Sequence, residues 1–139
     1  MAHARLLTVA TDALLTEVAA LLSSNQISLV VVCDATGTVV GVITETMLVR
    51  QLGVGRADVF TTPASAVMNH EYSSCGADDS LAEVLAMMHR LGQIHVLIVA
   101  SDKKPLGVLN ARDGLRALLA AGNHEEALLR SYVTGDGYR

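Results

Sequence analysis

The side chains that could do chemistry are few, and most stand without the partners a reaction would need. His70-Glu71 and His124-Glu125 lack the second histidine of a zinc-binding helix, so neither reads as a metal pair. Ser23-Ser24 and Ser73-Ser74 have no adjacent base, and Gly53-Val54-Gly55-Arg56 has no Lys-Ser/Thr to make a phosphate loop. Asp78-Asp79 reads as helix-start punctuation favoured by the helix dipole, not as a catalytic dyad. His89 and His95 straddle a helix-to-strand boundary, which separates them as ligands. Cys33 and Cys75 are far apart in sequence and sit in strand-like stretches, as buried free thiols do. What remains is the run Asn110-Ala111-Arg112-Asp113, which stands where a predicted strand gives way to a predicted helix. An Asp there can cap a helix with no ligand at all. His95 in its apolar run can equally be packed or exposed. No catalytic set emerges, and an enzyme is not expected.

These residues are positioned by a chain that repeats itself. Shifted by 66 positions, Asp12 falls on Asp78, Leu15 on Leu81, Glu17 on Glu83 and Val30 on Val96. Gly41-Val42 falls on Gly107-Val108, Arg50 on Arg116 and Leu52 on Leu118, without a gap over about 45 positions. Each copy opens on polar punctuation and continues with apolar residues at helical spacing. In copy one these are Leu15, Val18, Leu21 and Leu22; in copy two, Leu81, Val84, Leu85 and Met88. Ser80 with Glu83 has capping-box spacing. Apolar β-branched runs, Ile27–Cys33 and Ile94–Val99, predict strands buried on both faces. Turns at 34–37 and 101–104 lead to second strands, Val39–Thr44 and Leu106–Asn110, and then to a last helix. Residues 54–65 read as a linker, with a short helical stretch from Pro63 to Met68. Residues 122–139 read as a helical tail starting near Asn123-His124-Glu125-Glu126. Leu128, Leu129, Tyr132 and Val133 give it an apolar face that lies on the core or crosses to a partner.

Composition narrows the classes. The chain has 139 residues, 51% hydrophobic and 17% charged, with a net charge of −4. Lysines are confined to Lys103 and Lys104, the arginines are scattered, and aromatics are limited to Phe60, Tyr72, Tyr132 and Tyr138. A nucleic-acid track needs clustered positive charge and stacking aromatics, so none is expected. No apolar run approaches the ~18 residues of a membrane span, and Met1–Leu7 lacks the sequence of a signal peptide. A cytoplasmic protein is the expectation, with surplus apolar surface buried between two copies of the chain.

The ordered pattern in both copies resembles a tandem pair of CBS domains, the Bateman module. The matching stretches are Thr8–Asp12 and Ser74–Asp78, the central strands, and the glycine-led strands Gly41–Thr44 and Gly107–Asn110, with Val67-Met68 leading into the second motif. The resemblance covers 8–52 and 66–119 and implies an α/β (α+β) fold. Motif 1 would span 1–53 and motif 2 66–121, each with a small mixed, mostly antiparallel sheet and flanking helices, related by pseudo-two-fold symmetry. It also implies a regulatory module that binds an adenosine-containing ligand (AMP, ADP, ATP or S-adenosylmethionine) and needs no cofactor for catalysis. In that family a Ser or Thr ends the second strand and an Asp follows three residues later, its carboxylate accepting the ribose hydroxyls.

By the resemblance, Asp113 stands at the ribose position and Asn110 replaces the hydroxyl. Arg112 and His95 stand where phosphate would be met, and Ser74 lines adenine and ribose. Copy one has Thr44 but Met47 in place of the carboxylate, and Leu29 in place of His95. One competent site is expected, in copy two, within a homodimer that acts through shape change or an unidentified protein partner. The alternative is a structural dimerisation module whose sites have decayed, which Met47, Asn110 and the lack of Pro in the central strands favour.

Overall fold

A computed structural model describes residues 5–25, 27–53, 55, 58–120 and 128–130. The chain divides into two compact units. The first is Leu6–Tyr72; the second runs from Ser73 onward and takes Arg5 with it.

In the first unit β1 (Thr8–Ala10) is followed by α1 (Leu15–Asn25), β2 (Leu29–Cys33), β3 (Val39–Thr44) and α2 (Glu45–Gly53). Its sheet has the order β1-β2-β3, parallel then antiparallel. The second unit repeats this with β4 (Ser74–Gly76), α3 (Leu81–Leu91), β5 (His95–Val99), β6 (Pro105–Asn110) and α4 (Ala111–Ala120), in sheet order β4-β5-β6. Among the described residues, the two mixed sheets and four α-helices agree with the expected fold class. The predicted strands at Ile27 and Ile94 begin slightly later, because the Ser28 and Ile94 carbonyls turn to accept Glu45 N and Ala111 N instead.

The 66-residue offset reappears in the backbone. Thr8↔Val31 recurs as Ser74↔Leu97, and Leu29↔Thr44 as His95↔Asn110. Even the irregularity between Val32 and Cys33 recurs between Ile98 and Val99. The β2–β3 turn places Gly37 at φ 82°, and the β5–β6 turn places Lys103 at φ 65°. Copy two thus holds a side chain in a conformation that suits glycine.

Alternation within each sheet explains the two buried faces. Val30, Val32 and Ile43 join Leu15, Val18 and Leu22 in one core, while Val96, Ile98 and Leu109 join Leu81, Val84 and Met88 in the other. Ser80 Oγ accepts from Glu83 N at the start of α3, the helix-capping half of the predicted box. At the far end of α3, Gly92 takes φ 68° and its N–H returns to the His89 carbonyl. Gly41 is buried beneath Met68, whose Cγ and Sδ lie 2.9 Å from where a β-carbon would be. Any side chain at position 41 would push that methionine off β3.

Residues 54–65 are more than a spacer. Leu15 N donates to the Thr62 carbonyl, Ala64 N to Ala13 O and Ser65 N to Thr11 O. In the second unit Leu129 N donates to Asp79 O and Arg130 N to Ala77 O. The bridges Leu14↔Pro63 and Ser80↔Leu128 match as well. Pro63–Ser65 and Leu128–Arg130 are therefore the same closing segment, and Ala64 and Leu129 are both fully buried. The tail's apolar face, where described, lies on its own core. The predicted tail start at Asn123 and the residues Tyr132 and Val133 lie outside the described residues. A further pairing breaks the repeat order: Asn69 lies against Val42 of β3, and Arg5 against Val108 of β6. No helix among the described residues is long and apolar enough to cross a membrane.

Candidate functional site

The register of the second sheet assembles most of the expected site. Asn110 is the last residue of β6 and lies opposite His95 on β5, while Ser74 on β4 lies opposite Leu97, two residues along from His95. Directly paired residues share a face, as do residues two apart on a strand. Ser74, His95 and Asn110 therefore stand on one face of the sheet. It is the face away from Val96, Ile98 and Leu109, which pack into the core. Arg112 and Asp113 follow immediately on the first turn of α4, Arg112 exposed and Asp113 half-buried. All five expected residues thus lie at one end of the second unit, on one sheet face and the adjoining helix turn.

The turn from β6 into α4 is tied down by its own backbone. Ala111 N donates to Ile94 O at 3.0 Å, while Asn110 Oδ1 accepts from Arg112 N at 2.9 Å and Asp113 N at 3.4 Å. Asn110 is therefore the helix cap, and the cap reading of Asp113 is corrected. With its oxygen committed, the Asn110 amide keeps its NH₂ as a donor. No hydrogen bond holds the Asp113 carboxylate among the described residues. It sits where the helix dipole favours negative charge, with acceptor capacity to spare.

Copy one closes the equivalent place from within. Thr44 Oγ1 accepts from Met47 N at 3.1 Å, and the Met47 sulfur folds back to within 3.5 Å of Thr44 N. Thr44 caps α2 as Asn110 caps α4. Where copy two offers a carboxylate, copy one offers a thioether that is already turned onto its own backbone.

His95 is half-buried, and burial holds its imidazole below the ordinary 6.5, so it is neutral at pH 7. Cys75 is buried and donates weakly to Leu97 O at 3.7 Å. Burial, and then the Asp79 carboxylate, push its thiol up to about 12. Cys33 is likewise buried and forms no disulfide, as the sequence suggests for both cysteines. No group of three His, Cys, Asp or Glu gathers as a metal site among the described residues.

Sequence reasoning passed over Gln93. Its Oε1 is buried with no hydrogen-bond partner, one residue before the Ile94 carbonyl that anchors α4. Copy one carries Ile27 there, packed against the core. The repeat mismatch was the available signal.

Two copies of a βαββα unit, each with its own mixed sheet, define a tandem-repeat α/β module by architecture. The family profile for the CBS domain matches residues 1–53 and 64–120. The chain belongs to the CBS-domain family. Among solved structures it is similar to the CBS-domain-containing protein ATU1752 from Agrobacterium tumefaciens, at 25% identity and TM-score 0.70, covering 83% of this chain and 85% of that one. A conserved protein from Pyrococcus horikoshii shows 26% identity and TM-score 0.70, over 81% of this chain and 84% of that one. The CBS domain pair of protein MJ0100, solved with 5-methylthioadenosine and S-adenosyl-L-methionine, has the same fold at 18% identity and TM-score 0.72, over 83% and 89%. No curated protein matches the chain.

Proposed function

We propose that this chain is a non-catalytic sensor that binds one adenosine-containing ligand in its second unit and works as a homodimer. Asp113 accepts the ribose hydroxyls, the Asn110 NH₂ and Arg112 meet the phosphate or its equivalent, and His95 and Ser74 line the same face. The observation that carries this reading is the contrast between an unengaged Asp113 carboxylate and a Met47 sulfur folded onto Thr44 N. The adenosine compounds bound by the MJ0100 CBS pair support the ligand class. Binding would be signalled through a change of shape or of a partner's state, since the site holds recognition groups and no nucleophile–base pair.

Isothermal titration with AMP, ATP and S-adenosylmethionine tests the reading. One site per chain is expected for at least one of them. Asp113→Ala is expected to weaken it by about ten- to a hundredfold, since hydrogen bonds to a charged group contribute roughly 1.5–3 kcal/mol. Two equal sites, or no binding by folded protein, would overturn it. A purely structural dimerisation module is the second reading. It is favoured by exposed apolar side chains on α2 and α4, and under it Asp113→Ala alters stability alone.

A further inference from the structure

One polar atom in the second unit is out of place. Gln93 Oε1 is buried and accepts no hydrogen bond, the only buried side-chain nitrogen or oxygen without a partner among the described residues. The backbone pins Gln93 on both sides. Its N–H donates to the Met88 carbonyl at 2.9 Å, closing α3 behind Gly92, and the next carbonyl, of Ile94, accepts Ala111 N at 3.0 Å. A residue that follows a helix-ending glycine in this way commonly packs an apolar side chain back onto the helix. Copy one does so, with Ile27 against its core. An orphaned buried acceptor weakens a fold, whereas an apolar side chain of similar size removes the penalty. Copy two thus keeps a side chain that its own twin shows to be unnecessary for folding. Such local conflicts mark functional positions.

We infer that Gln93 reads the base of the ligand held by the site proposed above, on which this role depends, and selects a 6-aminopurine over a 6-oxopurine. There Asp113, Asn110 and Arg112 engage ribose and phosphate and leave the base unread. The Ile94–Ala111 hydrogen bond joins the two places: Gln93 precedes it by one residue and Asp113 follows it by two. Ile94 leaves its side chain 66% exposed, an apolar surface suited to a flat base. With the ribose on Asp113 and the base turned toward the start of β5, the ligand meets a carboxamide whose oxygen lacks a donor. The last torsion of a glutamine is broad and soft, so the amide turns to a ligand easily. Adenine offers the complement along one edge: its N6 amino group donates to Oε1, and N7 accepts from the side-chain NH₂. A 6-oxopurine presents two acceptors on that edge, so one contact is lost whichever way the amide turns. The 5′ substituent, phosphate or sulfur, does not enter this choice.

Two ligand pairs test this role, AMP against IMP and 5′-methylthioadenosine against 5′-methylthioinosine, each titrated calorimetrically into the intact chain. The members of a pair differ in the group at C6 and the N1 proton that comes with it. In at least one pair the 6-amino member is expected to bind about tenfold tighter or more. Gln93→Ile, which installs the residue of copy one, is expected to bring that ratio to about one while raising the urea midpoint of the unliganded protein. Gln93→Met, similar in length and without the amide, is expected to lose the same preference, and it keeps the test open should the β-branched variant misfold. A preference that survives in a folded Gln93 variant overturns the reading of Gln93 and leaves the ribose site standing. So does a wild type that binds both members equally or prefers the 6-oxo one. No binding of any of the four by folded protein overturns the site and this inference together.

Discussion

His95 shows how a single residue ties stability to pH. The unfolded chain takes up a proton near 6.5, while the folded imidazole, pushed down by burial, resists it. The stabilisation from keeping His95 neutral is therefore complete above about 6.5 and is lost as pH falls through the lower folded value. Urea midpoints are expected to drop between pH 7 and pH 5.5, and His95→Leu, which installs the residue of copy one, flattens that drop. An unchanged slope in the variant would exclude His95 as its source. An anionic ligand reverses the preference, because it favours the imidazolium; affinity for a phosphorylated ligand then rises as pH falls below about 6.5. At this scale the mismatches between copies singled out Asp113 and His95 in the sequence, and the fold places both at one end of the second unit. The role of Asn110 was not legible, because an amide offers both a donor and an acceptor, and only the backbone shows that the oxygen is spent on Arg112 N and Asp113 N.

The helices and turns show the copies solving one packing problem in two ways. Where the first unit has Ala19 and Leu48, the second has Leu85 and Gly114. A β-carbon at position 114 would lie 2.9 Å from Leu109 Cδ1 and 3.0 Å from Leu85 Cδ2. Glycine inside a helix costs about 1 kcal/mol relative to Ala, a cost offset here by the close approach of α3 and β6. Gly114→Leu is expected to destabilise by about 2–3 kcal/mol through overpacking. Leu85→Ala in the same chain restores the small–large pairing of the first unit and recovers most of that loss. Additive losses in a urea double-mutant cycle would show that the two positions do not share one space. The β5–β6 turn offers a simpler comparison. Lys103→Gly, which copies Gly37, is expected to stabilise by roughly 0.5–1 kcal/mol by relieving a left-handed lysine, read as a raised thermal midpoint. Strand and helix positions were legible because apolar periodicity carried them. The Ala19/Leu48 exchange was not, because no periodicity says which two residues meet.

At the scale of the whole chain, the sequence separates a linker from a tail, and the backbone makes them one element used twice. Pro63-Ala64-Ser65 and Leu128-Leu129-Arg130 share no residue, and they are offset by 65 positions where the rest of the repeat is offset by 66. Nothing in side-chain identity links them; the shared hydrogen bonds to Thr11 and Ala13, or to Ala77 and Asp79, do. This assignment predicts where the stability of the second unit resides. Leu129 has no exposed surface and packs with Leu81, Met88 and Ile98 in one core, so Leu129→Ala should cost about 2–5 kcal/mol. The Arg130–Asp78 ion pair is exposed, with side chains 58% and 76% accessible, and its loss in Arg130→Ala should cost less than about 1 kcal/mol. If the segment instead served mainly to reach a second copy, Leu129→Ala would raise the dimer dissociation constant and leave the unfolding of each chain little changed. Urea unfolding at several protein concentrations separates the two. A loss in Leu129→Ala of the same size at every concentration marks Leu128–Arg130 as the closing segment of its own unit. Amide exchange should then quicken first at Ala77–Ser80, the loop those residues hold.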